Sequence, residues 1–254
     1  MRLSTTVHRL PGRSGPHRLV RPAFRLPGTL VSSPELTKYG CISGPRADLL
    51  RLAALLRFAA LSPHTAVHIP LRHQLPVDGY QSFWFGCRPP LDLLFVRHDV
   101  GLRPSAWPRV RAAAGRGAPL AIRVPDGHAE PPPPYAWTHP RQVVLSERAR
   151  TLIVAGPAWS LHRAADSLFA SGERIPGDRS IHRHGESLLD DWNGMVRDDD
   201  PRPYPVEFTI HGRDPVFHKS RWAKESSVRR RPAEPRRRER PPHRAAVDVR
   251  KVKS

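Results

Sequence analysis

Residues 47–61, ADLLRLAALLRFAAL, limit the choice of fold more than any other segment. The run is rich in Ala and Leu and free of Gly and Pro, which predicts a helix with Asp48 near its start as a capping residue. Beyond Asp48 its only charges are Arg51 and Arg57, six positions apart, too few to make a polar face. Such a helix is expected to be buried on most sides, in a protein core rather than on a membrane surface.

The surrounding patterns supply material for such a core. Leu91–Val96 reads as a buried strand of about six residues, preceded by the breaker Pro89-Pro90. Ser105 can cap a short helix through Trp107 to Ala114, closed by Gly115 and Gly117. Leu120–Val124 alternates as a half-buried strand, and Gln142–Leu145, Thr151–Ala155 and Val206–Ile210 read as further strands. Between them, Leu161, Ala164, Ala165, Leu168 and Phe169 recur at helical spacing within 158–171, with Gly172 as a stop. The four prolines at 131–134 predict an extended spacer that presents Tyr135 and Trp137. This order of elements predicts an α/β fold, a small mixed sheet with a few helices. No apolar stretch approaches the ~18–20 residues of a membrane-spanning helix, so no transmembrane segment is expected. Two cysteines, Cys41 and Cys87, are too few for a disulfide framework or a four-thiolate zinc site.

Charge divides the 254 residues further. The formal net charge is +19, and of 42 basic residues only five are lysine. Residues 1–40 carry six arginines and Lys38 against Glu35 alone, mixed with Ser and Thr. That composition predicts a basic, largely disordered arm with transit-peptide character. Residues 221–254 hold ten arginines and three lysines against four acids, with prolines between the clusters, which predicts a second, Arg/Pro-rich disordered tail. The central α/β domain is then 41–220. In the tail, Arg229, Arg230, Arg231, Arg236, Arg237, Arg238 and Arg240 can pair with phosphates through planar, bidentate donors and release counterions. They also match nuclear-localisation runs, so an intracellular protein with nuclear or organellar targeting is expected. The expected partner is a polyanion, RNA or DNA, bound without enzymatic chemistry and without a cofactor. Tyr80, Phe83, Trp84 and Phe85, followed by Arg88, form an apolar cluster that packs in a core or stacks on bases. The preference for arginine over lysine also follows GC-rich codon usage, which leaves a further reading: the product of a GC-rich reading frame with no selected function.

Catalytic chemistry rests on arginine–histidine pairs. Arg97-His98 lies just past the 91–96 strand, where α/β sheets bind ligands. Arg183-His184-Gly185 repeats the pair, and His211-Gly212 follows another strand. These fragments resemble the histidine-phosphatase superfamily. The resemblance implies a phosphohydrolase with His98 or His184 as the phosphate-accepting nucleophile, Arg97 or Arg183 as a phosphate ligand, and His211 as the second histidine. Asp99 stands where that motif has glycine, and the likeness spans short motifs rather than a continuous domain. His182 and His184, with His211 and His218, match no strong zinc spacing, so no metal site is assigned. The acids Asp190, Asp191 and Asp198–Asp200 form the one negative island, suited to pairing with the chain's own arginines.

Overall fold

The apolar segment forms helix α1, Arg46–Leu61, with Leu49, Leu52, Leu55, Leu56 and Ala59 fully buried. The computed structural model describes residues 1–10, 15–33, 40–74, 90–124, 143–184, 186–192, 195–197, 205–206 and 208–213. Asp48 does not cap α1. Pro45 occupies the capping position, and the buried Asp48 carboxylate instead accepts hydrogen bonds from the Gly28 amide (3.3 Å) and the Thr29 hydroxyl (3.1 Å). It ties the preceding loop to the first turn of the helix.

Two mixed sheets flank α1. The larger comprises β1 (Arg2–Arg9), β2 (Arg18–Pro22), β5 (Thr65–Ile69), β6 (Asp92–Arg97), β7 (Ala118–Arg123), β8 (Val143–Arg148), β9 (Thr151–Gly156), β11 (Met195–Arg197) and β12 (Pro205–Val206). Its strand order is β12-β11-β8-β9-β6-β5-β2-β1-β7. The smaller has the order β10-β13-β4-β3, from β3 (Leu30–Ser32), β4 (Gly40–Pro45), β10 (Glu186–Asp191) and β13 (Phe208–Arg213). Helix α3, Ala158–Arg174, packs along α1, and together they lie between the sheets: α1 touches β5 and β6 on one side and β4 and β13 on the other. Leu52, Leu55, Phe95, Val154, Leu161, Phe208 and Ile210 belong to one continuous core. The mixed α/β class is therefore the one the sequence predicts.

Two expectations are corrected. Residues 1–40 are not a free arm: β1 pairs with β2 and β7, and Leu3, Thr5, Leu19, Val20, Leu30 and Val31 are buried. The period-two alternation of Leu3, Thr5 and Val7 was hidden among arginines and serines. Gly172 does not stop its helix, since α3 continues to Arg174. A Cβ at Gly172 would come within 3.0 Å of Leu50 on α1, so the glycine lets the two helices approach.

A second core lies on the other face of the large sheet. Short helix α2, Trp107–Ala113, follows a 3₁₀ turn over Pro104–Ala106 and buries Trp107 against Leu19, Ala66, Leu94, Val96 and Ile153. Ser105 makes no capping hydrogen bond, because it sits within that 3₁₀ turn. The 221–254 tail, Tyr80–Arg88, Tyr135 and Trp137 lie outside the described residues.

Packing is also tight at Gly212 of β13. A Cβ there would meet Ile175 at 2.8 Å and Ile181 at 2.9 Å, with Leu189 closer still. Thermal unfolding followed by circular dichroism should be cooperative, and Gly212→Ala should lower stability by about 1–3 kcal/mol through overpacking. An unchanged midpoint for the variant would mean that these three side chains do not converge there.

Candidate functional site

Strand alternation places a polar cluster beneath α2. On β5, Val67 and Ile69 face the helical layer while Ala66 faces α2, so His68 also faces α2. On β6, Leu93 and Phe95 face the helices, leaving Asp92 with Leu94 and Val96 on the α2 side. On β2, Arg21 shares the face of Leu19. Three neighbouring strands thus bring a guanidinium, an imidazole and a carboxylate together.

Asp92 is almost wholly buried and well supplied with donors. Its Oδ1 accepts from the amides of Leu71 (2.8 Å) and Arg72 (2.9 Å), where the chain turns after β5. Its Oδ2 lies 3.3 Å from His68 Nε2. Arg21 Nε donates to His68 Nδ1 at 3.1 Å. Because an arginine only donates, Nδ1 must be the acceptor, and the imidazole proton sits on Nε2, directed at Asp92. The ring packs edge-on against Trp107 with centroids 5.0 Å apart. Burial, reinforced by the charges of Arg21 and Arg111, lowers the His68 pKa despite the opposing pull of Asp92, so the ring is neutral. Burial alone would raise the Asp92 pKa, but the hydrogen bonds from His68 and from the Arg72 and Leu71 amides outweigh it and hold the carboxyl below its usual range.

Both ring nitrogens of His68 are engaged, so it has no lone pair for a substrate proton or a metal. What remains available is guanidinium. Arg72 Nε stands 3.6 Å and Arg111 Nη1 4.0 Å from Asp92 Oδ2, attracted but not hydrogen-bonded to it, and Arg72 Nε donates to His73 Nε2 at 3.2 Å. Arg111 Nη1 donates to Ala149 O (3.2 Å), and Arg150 Nη2 donates to Arg72 O (3.2 Å). Ala149 and Arg150 form the two-residue β8–β9 turn with φ of 51° and 60°, a left-handed pair without glycine. The Arg150 carbonyl in turn accepts the Asp92 amide at 3.0 Å. The arrangement suits recognition of an anion rather than bond making.

The histidines picked out by the sequence do not meet here. His98 is exposed and opens a 3₁₀ turn after β6. Its neighbour Arg97 is bound to the Asp99 carboxylate and to Ala60 O (3.2 Å), so that guanidinium is already engaged. His211 lies in the other sheet, in register with Ser43, just before β4 runs into α1. Ala60 and Ser43 mark opposite ends of α1, about 20 Å apart at 1.5 Å per residue, so His98 and His211 cannot share one phosphate. His184 ends α4, Arg179–His184, and its side chain and that of His182 lie outside the described residues, as do His218 and Asp198–Asp200. Among the described residues no group of three or more His, Cys, Asp or Glu side chains is placed to hold a metal. Asp190 accepts a hydrogen bond from the Ser167 hydroxyl. The seven tail arginines also lie outside the described residues.

Sequence reasoning missed His68 and Asp92. The available signal was a carboxylate opening an otherwise apolar strand, since a buried Asp demands partners. No protein-family model, curated protein or solved structure matches the chain.

Burial lowers the His211 pKa to about 4. The unfolded chain takes up this proton near pH 6.5, so it binds more protons than the fold between these values. The contribution of His211 to stability is full above about pH 6.5 and falls by about 3 kcal/mol as the pH drops to 4. His68, also shifted downward, acts with the same sign. Urea midpoints should therefore fall between pH 7 and 4.5, and less steeply in His211→Gln. Equal slopes in both proteins would show that His211 is protonated as readily in the fold as out of it.

Proposed function

We propose that the chain is a non-enzymatic nucleic-acid-associated protein that contacts phosphates through arginine without sequence specificity. The observation that supports this reading is the uneven distribution of acids and arginines on the fold. Residues 101–124, which contain α2 and β7, include Arg103, Arg109, Arg111, Arg116 and Arg123 and no acid. Four of these arginines are exposed, and Arg111 sits at the rim of the Asp92 cluster. Exposed Arg148 and Arg150 on the adjoining hairpin extend the positive surface. On α1 the arginines meet acids instead: Arg46 pairs with Glu173 (2.7 Å) and Arg57 with Asp166 (2.5 Å). Exposed guanidinium gathered on one surface binds polyphosphate by releasing condensed counterions, and planar donors fit phosphate oxygens. The seven tail arginines would add to the same affinity.

Binding to a duplex of arbitrary sequence should weaken steeply with salt, with a log–log slope of about −0.9 for each phosphate neutralised. Replacing Arg103, Arg109 and Arg116 together with Gln should reduce that slope by about 3. Replacing Arg229, Arg230, Arg231, Arg236, Arg237, Arg238 and Arg240 with Gln measures the share of the tail. Affinity that ignores salt, or survives both sets of changes intact, would overturn the reading.

A further inference from the structure

We propose that Arg21, Arg72 and Arg111, set around Asp92, form a discrete site for one phosphate monoester group. This rests on the arginine–phosphate reading and gives it an anchor. The ligand chemistry is the dianion carried by a small phosphate ester or by the phosphorylated end of a nucleic acid.

Charge is the first argument. Arg72 and Arg111 stand beside one carboxylate and Arg21 joins it through His68, whose tautomer, fixed by Arg21, leaves the ring neutral. The cluster holds two positive charges in excess, with Arg150 adding a third at its margin. A monoester dianion answers that excess, whereas an internal phosphodiester with a single charge answers only part of it. Arg21 and Arg111 also act on each other as like charges, a repulsion that an anion between them would relieve.

Donor geometry is the second argument. Asp92 is already served by two amides and His68, and both Arg72 and Arg111 stop short of hydrogen-bond distance from it; Arg72 Nε donates to His73 Nε2 (3.2 Å) and Arg111 Nη1 to Ala149 O. Their side chains retain 31% and 25% of their exposure, against 1% for Asp92, so the carboxylate forms the floor and the guanidinium donors the rim. Asp92 is thus a positioning residue, holding cations at a spacing they would not keep alone. Beside it, Thr151 pairs with Asp92 across β6 and β9 and buries its hydroxyl without a partner, and the Trp107 indole nitrogen is similarly unpartnered.

The third argument is the placement of the β8–β9 turn. Its left-handed pair is the geometry a two-residue hairpin requires. The turn receives Arg111 at the Ala149 carbonyl and places Arg150 against Arg72, so it holds cations at the margin of the cluster.

The test uses the full chain and two DNA oligonucleotides of one sequence, bearing a 5′-phosphate or a 5′-hydroxyl, together with inorganic phosphate matched to chloride in ionic strength. The 5′-phosphorylated strand should bind about tenfold more tightly, a gain of ~1.4 kcal/mol. Inorganic phosphate should raise the melting temperature. Arg111→Gln and Arg72→Gln, both partly exposed, should abolish the preference and the melting shift while leaving affinity for the 5′-hydroxyl strand within about threefold, a loss near one phosphate contact. A phosphate-dependent melting rise that needs Arg111, with no preference between strands, assigns the site to a small phosphate ester. The same rise with no binding of either strand keeps the site and removes the nucleic-acid reading. Absence of both preference and rise, or a rise that survives in both variants, overturns the site. Melts of the variants without ligand establish that each is folded.

Discussion

Helix α1 gives water only its ends and a half-buried stripe through Leu50, Arg51, Arg57 and Phe58, and the rest of the architecture follows from that. A helix with one apolar stripe is satisfied by one sheet; α1 buries Leu49, Leu52, Leu55, Leu56 and Ala59 and still has Ala53 and Ala60 to cover. One sheet cannot reach all of these positions, so the chain builds two and fills the remaining side with α3. Gly172 allows α3 to come close, and the Arg57–Asp166 pair joins the helices where their apolar contact ends. Arg57 also lies over the Phe169 ring at 5.4 Å, so its stem and its charge both contribute to the contact.

The excess of arginine acquires a different meaning inside this frame. Much of it works within the fold: Arg97 reaches Ala60 O at the end of α1, Arg174 reaches Leu189 O (2.5 Å), and Arg51 covers Phe24. Such bonds satisfy carbonyls that no ladder or helix serves. The α2 surface differs because residues 101–124 carry five arginines and no acid, with Asp92 buried at its base. The net charge of the sequence is therefore less informative than where on the fold arginine outnumbers carboxylate.

Patterns governed by local chemistry were readable from the residues alone. The α1 and α3 helices and strands β6, β8 and β9 are apolar runs with breakers at their ends, and a run of that kind has few alternatives. β1 escaped because its alternation uses Leu3, Thr5 and Val7 between arginines, a pattern that composition reads as a solvated arm. Gly172 and Gly212 look like a stop and a motif glycine; both are small because side chains from other elements occupy the space a Cβ would need. The His68–Asp92 pair was invisible for the same reason. Residues 24 positions apart meet only because β5 and β6 pair, and the arginines that complete the cluster come from β2, α2 and the turn after β5. The pairs His98 and His211, conspicuous as motifs, were separated by the length of a helix that no motif records.

The small sheet sets the order in which this architecture can close. β4 leads directly into α1, yet its parallel partner is β13, so Cys41 waits for Thr209. Nearly the whole described chain must be in place before β13 completes the cover that β3 and β4 begin on the second face of α1. Loop closure over such a span costs entropy that grows slowly with length, but the cost falls before any contact repays it. Until β13 arrives, α1 rests on the large sheet, α3 and β4, and the part of its outer side that β13 covers stays open. The residues that make α1 need two layers are thus the ones that make the partly folded chain adhesive. The arginines spread over the large sheet's other face oppose association of such chains through like-charge repulsion.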